Sequence, residues 1–121
     1  MDEEIFELHA DVCHTLSNPK RLWILSLLRE GERPVNQILA AMRGIGKANL
    51  SQHLAVMRQK GVVAARREGN LVYYRISSRK ITQACDLMRD VVLDQLAKKG
   101  ALLLRYRGST RARRAAVGRT A

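Results

Sequence analysis

The chain has 121 residues, enough for one compact domain with a short extra end. Lys and Arg number 22 against 11 Asp and Glu, a net charge of +11 that points to a polyanionic partner. No apolar run approaches the ~20 residues of a membrane-spanning helix, and an apolar fraction of 46% is enough for a core, an aliphatic one given a single Trp and a single Phe.

The charge is uneven. The first eleven residues hold five acids (Asp2, Glu3, Glu4, Glu7, Asp11) and no Lys or Arg, which reads against a signal peptide. After Asp94 there are eight bases and no acid. With no export signal, the two cysteines are expected as thiols in a reducing cytoplasm.

In chain order, residues 4 to 16 predict a first helix, with Ile5, Phe6, Ala10, Cys13 and Leu16 apolar. Ser17-Asn18-Pro19 is a break in which Ser17 or Asn18 caps the next helix, with Pro19 in its first turn. That second helix, Lys20 to Arg29, is so rich in Leu, Ile and Trp that burial on most sides is expected. Pro34 to Met42 predicts a short third helix with Val35, Ile38, Leu39 and Met42 inward. A Gly-bearing turn, Arg43 to Gly46, leads to a fourth helix, Lys47 to Lys60, and the pair has helix-turn-helix form.

On the fourth helix Leu50, Leu54 and Met57 recur at i, i+4 and i+7, the mark of one buried stripe. Lys47, Asn49, Ser51, Gln52 and His53 sit on or near the polar side. Asn and Gln pair bidentately with adenine, and Lys contacts guanine or phosphate. Asn49, Ser51 and Gln52 are the expected base readers, and Arg58 is placed near phosphate. Gly61 stops the helix. Val62 to Ala65 and Leu71 to Ile76 are two β-rich runs around Glu68-Gly69-Asn70, with Arg66, Arg67 and Asn70 expected to grip phosphate or the minor groove. Tyr73 and Tyr74 point to opposite faces, so one is expected in the core. The plain alternatives are a solvated Ser51 and a His53 packed against the hairpin.

Ser78 to Leu96 predicts a long last helix with an apolar seam of Ile81, Cys85, Met88, Val92 and Leu96, suited to a two-helix dimer contact or to covering the domain's own core. The domain is expected to span residues 1–99. Residues 100–121, with Arg, Ala and Gly prominent, are expected to be a basic disordered tail.

With these elements placed, the chain resembles the ArsR/SmtB family of bacterial and archaeal transcriptional repressors over residues 5 to 97. The segments that carry the resemblance are LSNPKRLWILSLLREGERPVNQI and ANLSQHLAVMRQKGVVAARREGNLVYYRI. It implies a mainly α winged helix-turn-helix with a β-hairpin wing, dimeric through its first and last helices. Such a homodimer binds an inverted-repeat operator in double-stranded DNA, with two reading helices in successive major grooves about 34 Å apart, and an inducer releases it.

The inducer is less legible. Members with a metalloid site carry a Cys-Val-Cys pair at the start of the third helix, where this chain reads Arg33-Pro34-Val35-Asn36-Gln37. Zinc-type members use Asp and His on the last helix, and here no His follows His53. Persulfide sensors pair a second-helix cysteine with one in the last helix. Ser26 stands at the first of those positions, and Cys85 lies near the start of its helix. What remains is Cys13 and Cys85, as a redox or reactive-sulfur switch, as ligands with His9 for a thiophilic metal or metalloid ion, or as small inert residues in apolar seams. No cofactor is otherwise implied. A nucleic-acid binder that senses nothing is the competing class. An enzyme is not expected, because no phosphate loop or metal-hydrolase spacing occurs, and Cys13 and His14 diverge on a helix.

Overall fold

A computed structural model describes residues 2–100; the expected tail, from 101 onward, lies outside the described residues. The element order is α1 (Glu3–Leu16), α2 (Pro19–Leu28), β1 (Arg33–Pro34), α3 (Val35–Ala41), α4 (Lys47–Gln59), β2 (Val63–Glu68), β3 (Leu71–Ile76) and α5 (Arg79–Ala97). The chain divides into two units, one running to Thr82 and the other starting at Gln83, and everything from α1 to β3 belongs to the first.

The helix boundaries follow local chemistry. The Asn18 side chain accepts hydrogen bonds from the backbone N–H of Lys20 and Arg21 at 2.9 and 3.2 Å, with Pro19 opening α2. At the other end, Arg33 Nε donates to the carbonyl of Leu27 at 2.7 Å, closing one of the carbonyls that the last turn leaves open. Gly61 follows α4 with a φ of 76°, a left-handed conformation that stops a helix without a Cβ clash.

The core is one cluster of aliphatic side chains and methionines. Ile24, Leu25 and Leu28 from α2, Ile38 and Met42 from α3 and its end, Leu50, Leu54 and Met57 from α4, and Val62 and Val63 are all buried. Each such side chain contributes about 1.5–3 kcal/mol. α2 departs from its expected burial on most sides. Leu22 and Trp23 are 45% and 43% exposed, because only the face bearing Ile24, Leu25 and Leu28 meets the core.

The sheet has three strands in the order β1-β3-β2, all antiparallel. β1 is the element with no sequence signal: two residues pair Arg33 with Tyr74 and Pro34 with Tyr73. The hairpin register runs from Val63 against Ile76 to Glu68 against Leu71, leaving Gly69-Asn70 as a two-residue turn. Gly69 has a φ of 60° and Asn70 does not share its sign, so glycine stands where a type II′ turn needs it. Neither tyrosine is a core residue. Tyr73 and Tyr74 are both half-buried on β3, the central strand of a three-stranded sheet too small to enclose either ring.

α1 and α5 leave apolar surface uncovered. On α1, Ile5, Phe6, Leu8 and Val12 are exposed, Phe6 at 57%; on α5, Leu87, Met88, Val91 and Val92 are exposed and no residue is buried. Among the described residues no helix is long and apolar enough to cross a membrane.

Because Leu54 is fully buried at the centre of the core, Leu54→Ala should cost about 2–5 kcal/mol. Urea unfolding of the full chain checks this, and an unchanged midpoint would contradict the assignment of the core.

Candidate nucleic-acid interface

α4 is sorted by its own periodicity. At roughly 100° per residue, Leu50, Leu54 and Met57 fall on one side and are buried. Gln52 lies opposite that stripe and is exposed. Lys47, Ser51 and Arg58 form one flank, all exposed, while Asn49 and His53 form the other, both half-buried. The helix contains no acid. Gly46 precedes it with no side-chain cap, so its first N–H groups are left for water or an anionic oxygen. The buried stripe thus fixes which side chains face outward, and those are two amides, a hydroxyl, an imidazole and two cations.

The half-buried flank is tied to α2. Arg21 Nε donates to His53 Nδ1 at 3.1 Å, and Arg21 Nη1 donates to the carbonyl of Thr15, in the last turn of α1, at 3.2 Å. Desolvation first, then the charges of Arg21 and Lys20, lower the imidazole below its ordinary value of 6.5. His53 therefore packs against α2 through one edge, where the sequence offered only the hairpin as its packing partner. Arg21 itself carried no signal as a site residue.

On the wing the arginines differ. Arg66 is exposed, but its guanidinium is taken up by carboxylates: Nε and Nη2 reach Glu32 Oε1 at 2.7 Å, and Nη1 reaches Glu68 Oε2 at 2.7 Å. It also lies over the ring of Tyr73, 4.4 Å from the centroid. The hydrogen bond to Glu32, then that to Glu68, raise its pKa further, so it stays charged throughout. Arg67 is oriented differently. It is exposed beside the turn, its Nε 3.4 Å from the carbonyl of Gly69, and Asn70 is exposed at the tip.

The candidate sensor residues lie on the terminal helices. Cys13 is exposed on α1, Cys85 is half-buried on α5, and neither is in a disulfide. His9 is exposed on α1. Among the described residues no group of three or more His, Cys, Asp or Glu is placed to hold a metal ion.

With this geometry in hand, the sequence model described as bacterial regulatory protein, arsR family, matches residues 18–65, from the cap of α2 into β2. The HTH-type transcriptional regulator Rv0081 of Mycobacterium tuberculosis is 40% identical over 109 residues, 88% of this chain and 96% of that protein. The chain belongs to the arsR family of bacterial regulatory proteins. The crystal structure of Rv0081 covers 83% of this chain and matches it along its whole length, with a TM-score of 0.74 at 39% identity. The homodimeric winged helix-turn-helix DNA-binding domain Mb0332 of Mycobacterium bovis has a TM-score of 0.68 at 36% identity, covering 74% of this chain and 82% of its own. The biofilm growth-associated repressor of Xylella fastidiosa is 36% identical over 86 residues, 71% of this chain and 75% of that one. The fold is therefore a winged helix-turn-helix, with α3 and α4 as the helix pair and β2-β3 as the wing. The family is one of transcriptional regulators, not enzymes.

The lowered pKa of His53 has a signed consequence. Above about pH 6.5 the imidazole is neutral in folded and unfolded chains alike. As the pH falls through 6.5 the unfolded chain takes the proton first, so this contribution to folded stability is lost until the folded-state value is passed. Urea midpoints measured from about pH 8 to 5 should fall more steeply for the wild type than for His53→Gln, and equal slopes would contradict the shift.

Proposed function

We propose that the protein is a transcriptional repressor that binds an inverted-repeat operator as a homodimer and is released by an inducer. The observation that carries this is the outward face of α4. It is free of acid, bears Lys47, Asn49, Ser51, Gln52 and His53, and stands beside a wing ending in Arg67 and Asn70. Asn49 and Gln52 have the donor-acceptor pairs that read adenine, Ser51 bonds any base edge, and Lys47 and Arg58 suit guanine or phosphate. Arg67 and Asn70 supply backbone grip at the wing. Arg66 we assign mainly to the wing's shape, because three of its five N–H donors are held by Glu32 and Glu68.

Dimerisation is the use we assign to the uncovered apolar residues of α1 and α5. A second copy would bury Phe6 and Met88, and a relative of the same fold is a homodimer. The release step we assign to the thiols of Cys13 and Cys85. Each sits on one of the two helices given to the dimer, so oxidation or polysulfide formation there would change the spacing of the two reading helices.

The test is affinity for duplex DNA from upstream of the protein's own gene, beside a shuffled duplex. Binding should prefer the upstream DNA and weaken by about a thousandfold between roughly 50 and 200 mM salt. No preference at either salt concentration would refute the repressor reading. A thiol oxidant or organic polysulfide should weaken binding about tenfold and dithiothreitol should restore it, with Cys13→Ser or Cys85→Ser abolishing the response. An unaltered response in both variants would remove the thiol switch and leave the DNA-binding reading in place.

A further inference from the structure

The hydrogen bond between Arg21 and His53 decides where the imidazole proton sits. A guanidinium has only donors, so the atom it bonds must be an acceptor. Nδ1 of His53 receives Arg21 Nε at 3.1 Å and therefore carries no proton, which leaves the neutral ring with its one proton on Nε2. Arg21 is not free to drift, since Nη1 is anchored 3.2 Å from the carbonyl of Thr15 and its own backbone N–H is fixed by the Asn18 cap. Among the described residues no buried side-chain nitrogen or oxygen lacks a hydrogen-bond partner. Nε2 makes no hydrogen bond there, so it reaches solvent. His53 follows Asn49 by one turn on the same flank of α4 and adjoins Gln52.

We infer that Arg21 is a positioning residue for the reading helix: by donating to Nδ1 it fixes His53 as the Nε2–H tautomer, so that α4 presents an N–H donor, beside the amides of Asn49 and Gln52, to an acceptor on duplex DNA. The inference rests on the DNA-binding reading above and adds to it a residue of α2 outside the polar face. The acceptor is a purine N7 or carbonyl oxygen in the major groove, or a phosphate oxygen; an N–H donor suits each. The same guanidinium joins the end of α1 to α4, so the dimer helix and the reading helix share one polar link.

Two measurements on the full chain test this. The first needs no DNA: the 15N-resolved imidazole spectrum near neutral pH, with His53 assigned by its loss in His53→Asn. The wild type should show the Nε2–H tautomer, and Arg21→Gln should turn it into a mixture. A wild-type Nδ1–H tautomer, or an Arg21→Gln spectrum identical to wild type, would overturn the inference. The second is affinity for the upstream duplex and a shuffled one. His53→Asn, whose amide ends near the Nδ1 position, should lose about tenfold. His53→Gln, whose amide nitrogen reaches the Nε2 position, should recover most of that loss. Adding Arg21→Gln to His53→Asn should cost nothing more. Loss on both duplexes assigns the acceptor to phosphate, and loss confined to the upstream duplex assigns it to a base. Equal affinity of wild type, His53→Asn and His53→Gln would overturn the DNA contact. If wild type binds neither duplex, the proposed function falls and the contact with it, while the spectrum still decides whether Arg21 sets the tautomer.

Discussion

The burial of Leu50, Leu54 and Met57 is the constraint on which the rest depends. Their three side chains close the core formed by α2, α3 and the start of β2. A helix with one buried stripe has no freedom to rotate about its axis, since turning it would expose about 1.5–3 kcal/mol of apolar side chain at each position. The outward direction of Gln52 and of the flanks around it follows from that. The interface is thus a consequence of packing. Apart from His53, which Arg21 ties to α2, its polar residues are left available for a partner.

Charge alone is a poor guide to which cations are available. The chain carries a net charge of +11, yet its basic residues are in different chemical situations. Arg66 is held by two carboxylates and a tyrosine ring, and Arg33 closes a helix end. Arg21 is committed to Thr15 and His53. Lys60 pairs with Asp11 at 3.0 Å, an exposed contact of small energetic value that places an acid from α1 beside the end of α4. Lys47, Arg58 and Arg67 are the exposed cations of the proposed surface that pair with no carboxylate among the described residues. The acidic neighbours of Arg66 also limit where DNA can approach, because Glu32 and Glu68 would meet phosphates unfavourably without that arginine.

Much of the fold was legible because its signals are local. The i, i+4, i+7 spacing of α4, the Asn18-Pro19 start of α2 and the Gly69 turn each act within a few residues, and the structure places each near where the pattern puts it. β1 was not legible: two residues, one of them proline, make no strand pattern, and they pair only because β3 lies alongside. The density of apolar residues in α2 was misleading because composition says how apolar a helix is and not how many faces meet the core; Leu22 and Trp23 remain outside. On the candidate surface, residue types and the helix face were readable, whereas partners were not. Arg66 meets Glu32 across 34 positions and Arg21 meets His53 across 32. Contacts of that range arise from tertiary packing, and no spacing rule within one element reports them.

We propose that packing turns Gln52 and its neighbours into readers of base sequence, while Arg67 on the wing holds the backbone. The measurement that tests it most directly is the affinity of Gln52→Ala for the upstream duplex and for a shuffled duplex at the same salt. A residue that reads a base should cost about 1–3 kcal/mol on the operator and almost nothing on the shuffled DNA, so that the preference between them shrinks. Equal losses on both duplexes, or no loss on either, would contradict the claim and would move sequence recognition away from the exposed crest of α4.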